Sequence, residues 1–209
     1  MRTLAPDVHQ LGGFPPNAVN AYLVGDVLID ARTMLDARSV LRQLRGKTVT
    51  THALTHGHAD HFGASHAVCT KLGIPLWVGE ADVEAVENGA PLLPPSPIGK
   101  LMMRGPQPKG HPVARALREG DEVADFTVLE VPGHSAGHLA FWREADRTLI
   151  GGDVFFNLPR LGPPPKMLTI DPSLNRTSMR RLAALRPALA LFGHGPPVRD
   201  PEKLLRVAG

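Results

Sequence analysis

Residues 55–61 carry four side chains of the types that bind transition metals. They read Thr-His-Gly-His-Ala-Asp-His, and histidine and aspartate suit zinc, iron or manganese. His56 and His58 are two residues apart, so in an extended segment both point to the same side. Asp60 and His61 are adjacent and cannot both point that way unless the chain turns. The spacing therefore predicts one loop that serves two neighbouring metal ions, whereas the alternative interpretation is a loop of four solvated polar residues.

Three further potential ligands share one feature, a glycine directly before them at the end of a predicted strand. They are His134, Asp153 and His194. Glycine lets the backbone bend sharply and approach an ion closely. Singly, each of the three is compatible with an ordinary turn residue. Together with the first loop they make two sets of three histidine or carboxylate ligands and one spare carboxylate, which can bridge two cations because each oxygen can bind one.

The elements that must position these residues are predicted to be short strands alternating with helices. Strands are predicted at 8–11, 19–24, 27–29, 51–54, 76–78, 122–125, 127–131, 139–142, 148–150 and 188–192, and helices at 36–45, 62–72, 80–87, 171–185 and 202–207. The 51–54 strand delivers the first loop at its carboxyl end, where α/β enzymes place their chemistry. Asp60 or His61 then begins a helix, so Asp60 could instead be an N-cap.

The proline-rich segment 89–112 interrupts this alternation. A stretch of this length with little regular pattern is typical of a functional lid or of disorder. Leu101, Met102 and Met103 within it could line an apolar substrate groove, or pack on the core or on a second subunit. A second irregular, proline-rich loop is predicted at 155–166. We expect one domain over 1–209, with two pseudo-symmetric halves and a lid-like segment at about 89–112.

Length and composition narrow the class of protein. A chain of 209 residues with 43% hydrophobic residues can bury a sizeable core. A net charge of +3 with scattered basic residues gives no reason to expect nucleic acid as a partner. The sequence has neither a signal-peptide pattern nor about 18 consecutive apolar residues. Cys69 alone allows no internal disulfide. We expect a cytoplasmic protein, monomer or homodimer, that acts on a small molecule away from membranes.

Four separated motifs in order give the chain a family resemblance. Thr-His-Gly-His-Ala-Asp-His, Pro-Gly-His-Ser-Ala-Gly-His, Gly-Asp and Gly-His-Gly resemble those of the metallo-β-lactamase superfamily over nearly the whole chain. The resemblance implies an α/β (α+β) fold, a four-layer αββα sandwich with metals at one edge between the sheets. It implies a first ion on His56, His58 and His134, and a second on Asp60, His61 and His194, with Asp153 bridging. Asp30 matches an aspartate that usually supports the ligands, and His138 matches a histidine that is not usually a ligand and is expected to be structural or supporting.

Two divalent ions, with zinc preferred and iron or manganese as alternatives, suit hydrolysis. Ions about 3.5–4 Å apart can share a water or hydroxide, lower its pKa toward neutrality and polarise the oxygen of the substrate. Asp60 is the expected catalytic residue, which orients the nucleophile or carries a proton to the leaving group. Ser135 lies beside a ligand, but no Gly-x-Ser-x-Gly motif is present.

Differences from other members of the superfamily at the motif positions limit the reactions that the chain is expected to catalyse. Asp153 stands where many β-lactamases have cysteine, which argues against antibiotic hydrolysis. His58 stands where the flavin-linked di-iron oxygen reductases have glutamate, and the chain has no room for the added domain of the related nucleases. The pattern is most similar to the glyoxalase II group of thioester hydrolases. Glyoxalase II proper, however, has a helical domain after its last histidine, and only fifteen residues (209 − 194) follow His194.

The motif region is also similar to that of acyl-homoserine lactonases. We therefore expect a dinuclear metal-dependent hydrolase of a small ester-like substrate, a thioester or a lactone. One alternative is an oxidoreductase similar to the sulfur dioxygenases of the superfamily, which use a single iron. The other is a non-catalytic metal-bearing domain, which we disfavour because no ligand is missing.

Overall fold

The computed structural model describes residues 1–90, 97, 101, 104 and 106–209. Within them, a seven-stranded sheet has the strand order β1-β2-β3-β4-β5-β6-β7. Its strands are β1 (Arg2–Ala5), β2 (Val8–Gln10), β3 (Tyr22–Val24), β4 (Val27–Ile29), β5 (Thr51–Ala53), β6 (Leu76–Gly79) and β7 (Val113–Leu117). Neighbours are antiparallel from β1 to β4 and parallel from β4 to β7. The sheet is therefore mixed, and its parallel part carries the first motif.

A second, five-stranded sheet is formed by the later part of the chain. Its strands are β8 (Glu122–Val123), β9 (Phe126–Glu130), β10 (Leu139–Arg143), β11 (Thr148–Ile150) and β14 (Leu189–Leu191). Their order is β14-β11-β10-β9-β8, and only β14 and β11 pair in parallel. The loop predicted to be irregular at 155–166 contains a small hairpin of β12 (Phe156–Asn157) and β13 (Leu161–Gly162).

Six α-helices lie among the described residues. They are α1 (Ala37–Leu44), α2 (Ala59–Phe62), α3 (Ser65–Leu72), α4 (Val83–Asn88), α5 (Pro172–Ala184) and α6 (Pro201–Ala208). Asp171 caps α5, since its carboxylate accepts from the backbone N–H groups of Ser173 and Leu174, both at 2.9 Å. Proline in the first turn costs no helical hydrogen bond there.

Side-chain alternation along the strands builds the layers. Val27 and Ile29 of β4 point into the core between the two sheets, whereas Leu28 packs toward the helices on the outer face of the first sheet. In the second sheet, Phe141 of β10 points into the same inter-sheet core, and its neighbour Trp142 packs on the opposite face with α5 and α6. Three apolar interfaces thus separate four layers, and the predicted αββα sandwich is confirmed.

The predicted helix at 62–72 differs from the observed helices. The helical conformation begins earlier, at Ala59, and residues 63–64 separate α2 from α3. At this break the carbonyl of His61 accepts from the backbone N–H of Ala31 at 2.7 Å. This tertiary hydrogen bond competes with the helical hydrogen bonds of the same carbonyl, although the sequence pattern predicts a continuous helix here. His58 occupies the N-cap position of α2, so the alternative interpretation of Asp60 as the N-cap is wrong.

Four strands lie outside the predicted strands, namely β1, β7 and the two strands β12 and β13 of the small hairpin. Of the predicted lid-like segment 89–112, residues 91–96, 98–100, 102–103 and 105 lie outside the described residues, including Met102 and Met103. The division into pseudo-symmetric halves remains a prediction. Among the residues that the structure describes, no helix is both long and apolar enough to cross a membrane.

Candidate metal centre

The loops with the predicted ligands leave one edge of the sandwich. β4 and β5 are parallel neighbours, so the loops after them begin at the same edge of the first sheet. β9 and β11 both run antiparallel to β10, and β14 runs parallel to β11. All three therefore end at one edge of the second sheet. The topology accordingly brings together residues that are far apart in the sequence, as the strand ends predicted.

Three buried histidines from two sheets form what we call the three-histidine group. It consists of His56, His58 and His134, whose ligand atoms all lie within 4.8 Å of one another. The Nε2 atom of each ring is buried and has no hydrogen-bond partner. Orphaned buried polar atoms are costly, and a cation that accepts three imidazole lone pairs removes this cost. The group fits the first of the two expected ions, because three histidines with an open fourth position is a common zinc geometry.

A second group, Asp60, His61 and His194, lies beside the first and also has its ligand atoms within 4.8 Å of one another. Asp60 Oδ2 is 3.3 Å from His194 Nε2 and 4.0 Å from His61 Nε2. The Asp60 side chain is 39% exposed, whereas that of His61 is fully buried. Asp60 is thus the most exposed member of this group, since the side chain of His194 is 12% exposed.

Asp153 lies between the two groups. Its Oδ2 atom is 3.3 Å from His134 Nε2 and 3.2 Å from His194 Nε2, and its Oδ1 atom is 3.5 Å from His61 Nε2. One carboxylate therefore faces imidazoles of both groups, which is the arrangement expected of a bridging ligand. Its Oδ1 atom is buried and accepts no hydrogen bond, so this oxygen too lacks a partner that a cation would supply.

The residue before His194 must be small for the two groups to meet. A Cβ atom at Gly193 would lie 2.0 Å from Asp153 Oδ1 and 2.5 Å from His61 Cε1. Side-chain and backbone atoms do not tolerate such distances. The role of glycine as the residue that permits close approach, inferred from the sequence, therefore has a specific steric reason at this position.

Asp30 orients two of the histidines from behind. It follows β4 and is buried, and its Oδ2 atom accepts from His61 Nδ1 at 2.8 Å. The hydroxyl of Thr55 donates to the same carboxylate at 2.9 Å and lies 3.0 Å from His56 Nδ1. With Nδ1–H of each ring directed outward, the Nε2 lone pairs face the centre of the cluster. Asp30 thus contacts the ring of His61 directly, and the hydroxyl of Thr55 links the same carboxylate to the ring of His56.

His138 is turned the other way from these histidines. Its Nε2 atom accepts from the backbone N–H of Asp153 at 3.0 Å, and its ring stacks on that of His56 with a centroid distance of 4.7 Å. Because Nε2 already accepts this hydrogen bond, it has no lone pair free for an ion. His138 therefore contacts the backbone of Asp153 rather than the centre of the cluster, and its structural or supporting role stays a prediction.

Residues that the sequence did not single out hold His194 and His134. The Nδ1 atom of His194 donates to the carbonyl of Ala18, and Asn20 donates to the carbonyls of Phe192 and Gly195, both at 2.9 Å. These contacts fix the last loop on both sides of its histidine. They join residues more than 170 positions apart, and no local pattern points to them.

His134 is supported more loosely from a neighbouring loop. Its Nδ1 atom lies 3.4 Å from the hydroxyl of Thr169, which itself donates to the carbonyl of Pro165 at 3.0 Å. On the other side, the ring of Phe156 lies 4.4 Å from that of His194 and 6.1 Å from that of His134. The half-buried Phe156 is therefore an apolar wall beside both groups.

Electrostatics distinguish the two groups. Burial, reinforced by neighbouring imidazoles, lowers the pKa of His56 and lowers the pKa of His58 to about 3, so both rings are neutral, the form that binds metals. Burial would lower the pKa of His194, but the carboxylates, Asp153 foremost, raise it to about 10. Burial would raise the pKa of Asp153, yet His194 and His61 together lower it. The second group is thus a position where carboxylates attract positive charge, which suits a divalent cation.

The fold, with its histidine and aspartate clusters at one edge, defines a metal-binding protein of a known class. A family model for the metallo-beta-lactamase superfamily matches residues 14–194. The chain belongs to this superfamily. Its membership confirms the resemblance inferred from the four motifs and implies divalent metal ions at the cluster.

Relatives in sequence include hydrolases. The probable metallo-hydrolase YflN of Bacillus subtilis is 28% identical over 200 residues, which cover 82% of this chain and 76% of the relative. A hydroxyacylglutathione hydrolase of Methylobacterium nodulans is 31% identical over 166 residues, 76% of this chain. The match spans only 54% of that enzyme.

Similar solved structures support the same fold. TTHA1623, crystallised in a di-iron-bound form, is 29% identical with a TM-score of 0.73, and the match covers 96% of this chain and 98% of that protein. The B3 metallo-beta-lactamase BLEG-1 superposes with a TM-score of 0.76 over 95% of this chain and 96% of its own, at 23% identity. The latter likeness concerns the fold alone.

Proposed function

We propose that this protein is a dinuclear metal-dependent hydrolase that cleaves a small ester-like substrate, a thioester or a lactone. The observation that carries the proposal is the position of Asp153, whose carboxylate lies near His134 of the three-histidine group and near both His61 and His194 of the second group. A carboxylate so placed is suited to two ions that share one ligand. The hydroxyacylglutathione hydrolase relatives favour a thioester as the scissile group.

Two divalent ions bound here would polarise the carbonyl of the substrate and supply a hydroxide at neutral pH. The residues of the chain then have separate tasks. Asp30, through His61 and Thr55, holds the imidazoles in the tautomer that directs Nε2 inward. Asp60, partly exposed beside His194, is the group that orients the attacking water and passes a proton to the leaving group. Burial would raise its pKa, but His61 and His194 lower it, which keeps the carboxylate ionised, the form that accepts a hydrogen bond from the attacking water.

The metal content tests the dinuclear assignment. Metal-free protein is titrated with zinc, iron or manganese, and the ions retained per chain are counted after desalting. We expect two ions for the preferred metal, zinc by the chemistry of the ligands, with iron as the main competitor given the di-iron form of TTHA1623. Saturation at one ion per chain would contradict the shared-carboxylate arrangement.

Turnover tests the reaction class. The loaded enzyme is assayed with glutathione and other acyl thioesters, acyl-homoserine lactones and phosphodiesters. His58→Ala should abolish hydrolysis, whereas His66→Ala, a half-buried histidine of α3 outside both groups, should retain it. Oxygen uptake with glutathione persulfide would instead favour the single-iron oxidoreductase. No turnover of any substrate above a metal-stripped control would favour a non-catalytic metal-bearing domain.

A further inference from the structure

Asp82 is a buried carboxylate at the start of a helix that it does not cap. It ends the 3-10 turn Glu80–Asp82, directly before α4, and is 1% exposed. An aspartate at a helix start ordinarily accepts a hydrogen bond from a backbone N–H in the first turn. The side chain of Asp82 makes no such bond. The burial of its charge must therefore be compensated by contacts elsewhere.

Those contacts are with the two loops that carry the three-histidine group. Asp82 Oδ2 accepts from the backbone N–H of Gly57 at 2.8 Å and from the hydroxyl of Ser135 at 2.9 Å. Asp82 Oδ1 accepts from the backbone N–H of Gly137 at 2.9 Å. Gly57 separates the first two histidines of the group, and Ser135 directly follows the third. The carboxylate of Asp82 thus connects the loop of His56 and His58, which follows a strand of the first sheet, to the loop of His134, which follows a strand of the second sheet.

The fit between Asp82 and these loops is close as well as polar. A Cβ atom at Gly137 would lie 2.6 Å from the backbone nitrogen of Asp82 and 2.8 Å from its Cγ. The same two loops are joined at their base by a backbone hydrogen bond from Leu139 to Thr55 at 2.7 Å. Asp82 makes the contact nearer to the histidines, where a small change in loop separation moves the imidazoles.

We propose that Asp82 is a positioning residue for the three-histidine group, which fixes the distance between the loop of His56 and His58 and the loop of His134. The proposal rests on the assignment of these histidines as metal ligands under the proposed function. Hydrogen bonds to a carboxylate are stronger than those between neutral groups, and three of them hold two loops that belong to different sheets. Without them the three Nε2 atoms no longer converge on one ion, although the rings themselves are unchanged.

Asp82→Asn tests this with little change of shape. An asparagine offers one acceptor oxygen, so one of the backbone N–H donors must face its NH₂ group. We expect the affinity of the first ion, measured by chelator competition with Zn²⁺, to fall by about ten-fold or more, in line with the loss of supporting contacts at metal sites. The visible absorption of the Co²⁺-substituted protein should change in energy and intensity, because it reports ligand geometry rather than stability.

Two further variants make the result specific. Asp200→Asn makes the same chemical change at the N-cap of α6, where the carboxylate accepts from the backbone N–H of Glu202 at 3.0 Å. It should lower the melting temperature and leave the Co²⁺ spectrum and the zinc affinity unchanged. Ser135→Ala removes one of the three contacts of Asp82 and should shift the same two quantities in the same direction by less.

The outcomes separate this proposal from the function on which it rests. Wild-type protein that binds no metal at all would remove the proposed function together with its ligand assignment. Wild-type protein that binds metal, with unchanged affinity and spectrum in Asp82→Asn, would overturn the positioning role alone. If Asp82→Asn does not fold, Ser135→Ala decides, and an unaltered spectrum and affinity in that variant would equally overturn the proposal.

Discussion

Asp30→Asn is the change that most directly tests how the cluster is oriented. The carboxylate of Asp30 accepts from His61 Nδ1 at 2.8 Å and from the backbone N–H of Thr55 at 2.8 Å. An asparagine of the same shape has only one oxygen. If this oxygen stays with Thr55, the amide NH₂ faces His61 Nδ1 and can only donate to it. The His61 proton then moves to Nε2, the atom that faces Asp60 and Asp153.

The size of the effect follows from two independent considerations. A buried hydrogen bond to a charged group contributes about 1.5–3 kcal/mol, and an unpaired donor costs a similar amount. Loss of a carboxylate that supports a metal-bound histidine lowers metal affinity by about 10–100-fold, which is about 1.4–2.7 kcal/mol. The two ranges overlap, so we expect the second ion to bind about 10–100-fold more weakly and hydrolysis to fall at limiting metal.

Chelator competition on the purified variant measures this affinity, and thermal unfolding of the metal-free protein monitors the fold. Asp26→Asn is the matched control, since Asp26 also accepts from a threonine hydroxyl, that of Thr50 at 2.6 Å, but at the surface. It should bind both ions normally. Affinity for both ions in Asp30→Asn equal to that of the wild type would show that the tautomer of His61 is set without this carboxylate, and would refute the reasoning.

Three further predictions concern single side chains. Asp153→Ala should lose the second ion and nearly all hydrolysis while the circular dichroism spectrum is retained, and unaltered turnover would contradict the bridging assignment. Asp60→Asn should lower kcat far more than the melting temperature, because the side chain is 39% exposed, and full activity would contradict its role in proton transfer. Burial holds the pKa of His52 at about 4, against 6.5 unfolded, so stability should be complete above pH 6.5 and fall by about 3 kcal/mol as the pH drops to 4. The free energy of unfolding of His52→Gln, measured with denaturant at each pH, should not show this loss. Equal pH dependence of the free energy of unfolding in the variant and the wild type would contradict the prediction.

The clustering of the candidate ligands could be predicted from the sequence because each lies in a short local pattern. Each lies in the loop or short helix that follows a strand, and parallel or equivalently directed strands present their carboxyl ends at one edge. Prediction of the strand before His56 and His58 was therefore enough to place both residues at this edge. Gly193 was likewise recognisable as a site of close approach, although the atoms that it approaches, Asp153 Oδ1 and His61 Cε1, belong to other elements.

The contacts of Asn20 and Asp82 could not be predicted because their partners are distant in the sequence. Asn20 acts on the loop of His194 from the opposite end of the chain. Asp82 has the sequence signature of a helix cap, and only the fold shows that its carboxylate is directed elsewhere. The break between α2 and α3 has the same origin, since a tertiary hydrogen bond from Ala31 to His61 overrides a helical pattern that continues through it.

These supporting contacts share one feature that affects metal binding, a hydrogen-bond partner at the Nδ1 atom of a histidine. The Nδ1 atoms of His56, His61 and His194 each face a hydrogen-bond partner outside the cluster, namely Thr55, Asp30 and the carbonyl of Ala18. Each contact fixes a tautomer, and with it the direction of the Nε2 lone pair. Little side-chain entropy then remains to be lost when ions bind, because the rings are already buried and held. The affinity of the cluster for metal should therefore depend on these outer contacts as well as on the ligands themselves, and variants of the outer residues should weaken binding without removing a single ligand.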